Sequence, residues 1–255
     1  MQGATIHPPC VNKSHYLTHI EGKDIYVGFV HLHQMERKVA SLLLKQRRTD
    51  GLYRNLADFV NRVNISADQL EILIRIGAFR FTSKNKAALM WEKNAVFNPK
   101  RDWEASGSLF NDPFEEYQLP KLVAGKFDQA FDEIELLGFP VASPFTLLKN
   151  KEFPKVITAR QLSLFLNKTV EILGYYVCRK SVRTVNGKHM AFGTWIDSEG
   201  AFLDTTHFPH QLKDFPFRGK GIYRIKGKVA VEFGFYSLEV AAMELLPLVG
   251  DVRYE

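Results

Sequence analysis

The stretch GIYRIKGKVAVEF, residues 221–233, alternates with a period of two. Tyr223, Ile225, Val229, Val231 and Phe233 fall on one side, and Arg224, Lys226 and Lys228 on the other. Successive strand side chains point to opposite faces, so this is a strand with an apolar face and a basic face. Turn signals surround it at Asn186-Gly187, Glu199-Gly200, Gly219 to Gly221 and Gly234. They divide residues 169–246 into strands at about 169–179, 188–196, 201–208, 221–233 and 236–246, with a short helix at about 210–215.

Five strands with a helix between the third and fourth is the order of an OB-fold barrel. Such barrels hold single strands with a charged groove and aromatic platforms. The expected face lies on the second and third strands, between the first-to-second and fourth-to-fifth strand loops. Candidates at the first loop are Arg179, Lys180, Arg183, Lys188 and Trp195. At the second they are Phe235 and its neighbours Phe233 and Tyr236. Arg224, Lys226 and Lys228 add a basic strip. In the second strand the alternation puts Met190, Phe192, Thr194 and Ile196 toward the core and Trp195 opposite. Trp195 is therefore the expected stacking platform, and Phe192, Phe202 and Phe208 are expected in the core.

Upstream, the apolar spacing changes to that of helices. Met35, Val39, Leu42 and Leu43 share one face of a helix at about 34–48, with Arg37, Ser41, Lys45 and Arg48 on another. Short helices follow at about 55–63, after the Ser66-to-Gln69 capping pattern, and at about 83–95. Gly77 closes the second of these. Asp24 to Val30 reads as a strand. Residues 97–125 are rich in Gly, Pro, Ser and Asn and read as a linker. A helix carrying Phe127, Phe131, Ile134 and Leu137 ends at Gly138. The fold class is thus α+β and multidomain, a helical region followed by a five-stranded barrel.

Charge follows this division. Residues 31–101 hold fourteen Lys/Arg against six Asp/Glu, while residues 102–166 hold six against ten. A concentrated basic excess suits a phosphate backbone, since neutralised phosphates release counterions. The two cysteines, Cys10 and Cys178, are too few for a secreted disulfide scaffold and read as thiols in a cytoplasmic protein. No apolar run is long enough to span a membrane. His7, Cys10, His15, His19, His31 and His33 lie close together, but only His15-x3-His19 has half of a zinc spacing, so no metal site is expected. Asp128, Asp132, Glu133 and Glu135 contain the residue types of a two-metal nuclease site, yet Asp128 and Asp132 are i, i+4 and read as a solvated helix face.

Several stretches together resemble the bacterial DNA polymerase III alpha subunit, the C-family replicative polymerase. They are GATIHPPCVNKS (3–14), IYVGFVHLHQ (25–34), GLYRNLADFVNRVN (51–64), LEILIRIGAF (70–79), ELLGFPVASPF (135–145) and KSVRTVNGKHMAFGTWIDSEGAFLDTTHFP (180–209). KNKAALMWEKN (84–94) is similar to the shorter, error-prone branch. The resemblance implies the end of a fingers region at 1–33, helix-hairpin-helix elements at 34–100, a linker and helix at 101–166, and an OB domain at 167–255. It implies that the nucleotidyltransferase site and its Mg2+-binding aspartates lie upstream, in a palm outside this chain. No cofactor is expected here, and the segment alone should be inactive, one part of a longer polypeptide or of a split gene.

The resemblance also implies partners: duplex and single-stranded DNA, with the chain itself a monomer. Two positions depart from the family pattern. Gln34-Met35-Glu36 stands where relatives carry a Gly-x-Gly hairpin that offers backbone N–H groups to phosphate. The second hairpin, Ile76-Gly77-Ala78-Phe79, keeps Gly77 and is followed by Arg80, Lys84 and Lys86. The family's sliding-clamp peptide corresponds to Ser106-Gly107-Ser108-Leu109-Phe110, where Leu109 and Phe110 are the candidate clamp contacts and the leading Gln is Ser106. The alternative function is therefore a protein-interaction scaffold that docks the clamp and touches DNA weakly.

Overall fold

The computed structural model describes residues 3–97, 125–153, 156–232 and 234–251. They form two compact units divided between Val141 and Ala142.

The first unit opens on a small sheet of β1 (Thr5–His7), β2 (His19–Glu21) and β3 (Asp24–Tyr26), with β3 central. The strand expected over 24–30 stops at Tyr26. Gly28 passes so close to the 16–18 backbone that an added Cβ would sit 2.4 Å from the Leu17 carbonyl carbon. Phe29 to His31 then turn as a 3-10 segment that buries Phe29.

Among the described residues five helices follow: α1 (Arg37–Asp50), α2 (Leu56–Arg62), α3 (Ala67–Arg75), α4 (Lys86–Val96) and α5 (Asp128–Leu137). Short polar side chains at the starts of α2, α3 and α4 satisfy orphan N–H groups. Asn55 Oδ1 accepts from Asp58 N, Ser66 Oγ from Gln69 N, and Asn85 Oδ1 from Ala88 N. The last of these places α4 later than its expected start at 83. Gly77 and Gly138 end α3 and α5 with positive φ, where a side chain would strain the turn. Val39 and Leu43 of α1 pack with Leu56, Phe59, Leu70, Leu73, Ile74 and Phe79 in one core. Tyr53, Phe59 and Phe79 meet edge to face, with centroids 4.8 and 5.1 Å apart.

The helix α5 is not a solvated strut. Asp132 is only 2% exposed and Glu133 is also buried. Asp132 accepts from Arg75 Nε at 2.9 Å and Lys86 Nζ at 2.7 Å, and Arg75 also pairs with Glu135. Glu133 accepts from the Val141 amide and from Gln129. Asp132 and Glu135 fasten α5 to α3 and α4, which corrects the reading of these carboxylates as a surface face.

In the second unit β4 (Val156–Ile157) runs parallel to the start of β5 (Thr169–Arg183). The barrel strands are β5, β6 (His189–Ile196), β7 (Phe202–His207), β8 (Ile222–Glu232) and β9 (Phe235–Leu245), with α6 (Pro209–Asp214) between β7 and β8. Their order is β5-β6-β7-β9-β8, and β8 returns to pair with β5, closing the barrel. All these barrel strands pair antiparallel except β7 with β9. This is the OB-fold arrangement expected from the strand order. The long β5 serves both sides, pairing β8 through Thr169–Tyr175 and β6 through Tyr175–Arg183.

The interior holds Ile172, Trp195, Leu203, Tyr223, Ile225, Val229, Leu238 and Val240. Tyr223 and Ile225 point inward and Lys226 and Lys228 outward, as the period-two pattern requires. In β6 the expected faces are reversed. Ala191, Gly193 and Trp195 point in, and Phe192 points out. Trp195 is 0% exposed. It fills the barrel because Gly174 and Gly193 leave room for it. An added Cβ at either would lie 2.9 Å from Trp195 atoms. Burial of its N–H is compensated, since Nε1 donates to Thr205 Oγ1 at 2.7 Å. Trp195 therefore cannot be a stacking platform for a ligand.

Candidate nucleic-acid interface

The reversal of β6 moves the aromatic platforms. Phe192 is 42% exposed and Phe202 is 62% exposed, and both belong to the outer face of β6 and β7. The registers build that face in rows. Lys180 lies beside Phe192, which lies beside Thr206. Cys178 lies beside Thr194, which lies beside Asp204, and Ile196 lies beside Phe202. Thr194 Oγ1 donates to Asp204 at 2.8 Å. On β9, Ser237 pairs with Asp204, and Phe235 lies two residues before it, on the same outer side. Phe235 is 79% exposed. Phe202 and Phe235 thus mark one end of the face, and the 184–188 turn marks the other. The acids Asp204 and Glu239 lie toward β7 and β9, so the cationic side of the face is β5 and β6.

The basic candidates separate by strand parity. Lys180 shares the outer face with Phe192, whereas Arg179 pairs with Gly193 and Arg183 with His189 on the opposite side. Lys188 sits in the turn, where its carbonyl accepts from Thr184 N. All four are exposed and have no ion-pair partner among the described residues. No acidic residue occurs between Tyr175 and Ile196.

The strip on β8 is different. Arg224 donates through Nε to Glu171 at 2.9 Å and also pairs with Glu244. Glu171 holds the Arg224 guanidinium pKa above its usual value, first by hydrogen bonding and then by charge. Lys226 lies 3.9 Å from the same carboxylate. Arg224 and Lys226 are thereby largely neutralised, while Lys228 remains exposed and unpaired among the described residues.

Both hairpins of the helical unit are occupied by the protein's own groups. Gln34 adopts φ 63° without being glycine. The buried Gln69 side chain holds it there: Gln69 Nε2 donates to Gln34 O at 2.7 Å, and Oε1 accepts from Glu36 N at 2.8 Å. The sequence pattern assigns Gln69 to a capping box with Ser66. Instead its amide bridges to the Gln34–Glu36 turn, and it consumes an N–H there. At the second hairpin, Gly77 N donates to Ile74 O and Ala78 N to Leu73 O, so these donors close α3.

The cations near Gly77 are also committed. Arg80 donates to the carbonyls of Pro9 and Gly77, Lys84 pairs with Glu92, and Lys86 pairs with Asp132. The available positive charge of this unit lies elsewhere. Arg37, Lys45 and Arg48 are exposed on the outer stripe of α1 with no ion-pair partner among the described residues, and Lys38, next to Arg37, joins them. Arg37 lies over the Tyr16 ring, 5.5 Å from its centroid.

Leu109 and Phe110 lie outside the described residues. His7, Tyr26 and His19 stack in sequence, and His15 meets His19 edge to face. Among the described residues no three metal-ligating side chains converge, and no helix is long and apolar enough to cross a membrane.

A family profile described as a helix-hairpin-helix motif matches residues 3–89. The DNA polymerase III alpha subunit of Staphylococcus epidermidis is 28% identical over 219 residues, covering 84% of this chain and 20% of that protein. The alpha subunit of Staphylococcus aureus is 26% identical over 227 residues, with the same coverage. The chain thus spans about one fifth of the length of the curated relatives it matches. Among solved structures, Ustilago maydis replication protein A bound to single-stranded DNA matches 38% of this chain and 77% of its own, at 14% identity and a TM-score of 0.25. The second OB-fold domain of replication protein A from Methanococcus maripaludis matches 37% of this chain and all of its own, at 16% identity and a TM-score of 0.27. The chain carries a helix-hairpin-helix region at its start and, over most of its length, matches the DNA polymerase III alpha subunit.

Proposed function

We propose that this chain is a DNA-binding, non-catalytic segment of a DNA polymerase III alpha subunit. The barrel guides single-stranded template across the outer face of β6 and β7, and the outer stripe of α1 holds duplex backbone. One observation carries this reading. Phe192 and Phe202 stand exposed on neighbouring strands of one face, beside Lys180, at the edge of a ribbon without acids. Exposed aromatics next to unpaired cations are what a sequence-tolerant single-strand site needs, because every base has a π-face and every phosphate a charge. The long match to polymerase alpha subunits supports the assignment to that polypeptide.

In this reading nucleotidyl transfer and its Mg2+ belong to the rest of the polymerase, and the segment works in the cytoplasm as a monomer. Leu109 and Phe110 would dock a sliding clamp, which a pull-down with Phe110→Ala tests. The DNA reading is tested by fluorescence anisotropy with single-stranded and duplex oligonucleotides at two salt concentrations. Affinity should fall steeply as salt rises, since phosphate neutralisation drives counterion release. Absent or salt-insensitive binding overturns it.

A further inference from the structure

The barrel carries a second aromatic feature, away from the β6 and β7 outer face. Phe217, in the loop between α6 and β8, lies nearly parallel to Trp195, with centroids 5.6 Å apart and an interplanar angle of 13°. His207 and Tyr176 also touch its ring, at 4.6 and 5.7 Å. Gly193 makes this packing fit, because an added Cβ would come within 3.2 Å of Phe217 and 2.8 Å of Thr205. Arg179 is the residue paired with Gly193. Its guanidinium carbon sits over the Phe217 ring, 5.5 Å from the centroid. The stack therefore runs from a fully buried Trp195, through a half-buried Phe217, to an exposed cation.

Arg179 has no carboxylate partner among the described residues, and no acid lies within the whole β5–β6 ribbon from Tyr175 to Ile196. Its position is held by an aromatic face rather than by a salt bridge. A guanidinium is planar and weakly hydrated, and it stacks on rings as well as donating hydrogen bonds. A phosphate contact alone would need only the charge, which a flexible lysine supplies.

We infer that Arg179, backed by Phe217, is a stacking platform for an unpaired nucleobase of a single-stranded nucleic acid. This rests on the proposed single-strand function and adds a base contact on the opposite side of the β5–β6 ribbon from Phe192. The planar face of Arg179 carries the interaction, and its charge is secondary.

The full 255-residue chain is compared with Arg179→Lys and Arg179→Ala by anisotropy, using an oligothymidylate and an abasic strand of equal length. Arg179→Lys should bind the oligothymidylate about fivefold more weakly, as befits one modest base stack removed. It should bind the abasic strand as wild type does, with an unchanged salt slope. Arg179→Ala should weaken both. Melting temperatures should not move, because the side chain is exposed. Wild-type affinity of Arg179→Lys for both strands would reduce Arg179 to a point charge and overturn the inference. So would an equal loss on both strands. If wild type binds neither strand, the single-strand function falls and this inference falls with it. Wild-type binding with an indifferent Arg179→Lys removes the inference alone.

Discussion

Trp195 Nε1 donates to Thr205 Oγ1 at 2.7 Å inside the barrel, and the same hydroxyl lies 3.1 Å from Gly193 O and 2.9 Å from His207 Nε2. One threonine thus joins β6 to β7 directly beneath the outer face that carries Phe192 and Phe202. The floor of the candidate site is part of the folding core, so the two can be separated by mutation.

Trp195→Ala should destabilise the barrel by about 3–5 kcal/mol, the usual cost of emptying a large aromatic site. Gly193→Ala should cost about 1–3 kcal/mol through overpacking against Thr205 and Trp195. Thermal or urea melts followed by circular dichroism check both. A Trp195→Ala variant that melts like wild type would mean the indole is not a core residue.

His207 gives the barrel a pH dependence. Burial lowers its pKa to about 4, against 6.5 for a free histidine. Between those values the unfolded chain binds the proton and the folded barrel does not. Stability is therefore full above about pH 6.5 and falls as pH drops toward 4, by up to about 3 kcal/mol. Thr205 donates to Gly193 O in the arrangement where His207 Nε2–H donates to Thr205, which leaves His207 Nδ1 without a partner among the described residues. His207→Gln should flatten the decline in melting temperature over this range, relative to wild type.

Asp132 is the hub of the helical unit's charge network. Asp132→Ala strips Lys86 of its carboxylate and leaves Arg75 paired with Glu135. A loss of about 3 kcal/mol is expected, as for other broken buried pairs. Denaturant melts of the variant give the value, and a change below about 0.5 kcal/mol would contradict a structural role for the buried pair.

The sorting of cations can be read from salt slopes. Lys45→Ala with Arg48→Ala should weaken duplex binding and lower the slope of log affinity against log salt by about 2, one for each phosphate that is no longer neutralised. Lys84→Ala, whose cation already pairs with Glu92, should leave the slope unchanged. Anisotropy titrations across salt separate the two, and the reverse ranking would place the duplex contact at the second hairpin.

Much of this architecture was legible because the patterns are local. The β8 alternation, the glycine turns and the cap at Ser66 each depend on a few neighbouring residues. The β6 faces were not legible for a specific reason. Its inward positions hold Ala191 and Gly193, kept small to admit Trp195, while its outward positions hold Met190, Phe192 and Ile196. Hydrophobicity then points the wrong way. Long-range pairing was equally hidden. Asp132 reads as solvated until Arg75, 57 positions away, and Lys86 close over it. The strip on β8 reads as free cation until Glu171 meets Arg224 across the strand pair. In the Gln34 turn nothing in the local sequence marked Gln69, 35 positions away, as the residue that holds the positive φ.

The central claim is that bases stack on the outer face of β6 and β7. It is tested most directly by the single-strand affinity of Phe192→Ala with Phe202→Ala in one chain. The predicted result is about a tenfold or greater loss of affinity for a single-stranded oligonucleotide, with little change in melting temperature or salt slope, because exposed rings contribute stacking but not charge. Unchanged affinity in a normally folded variant would contradict it.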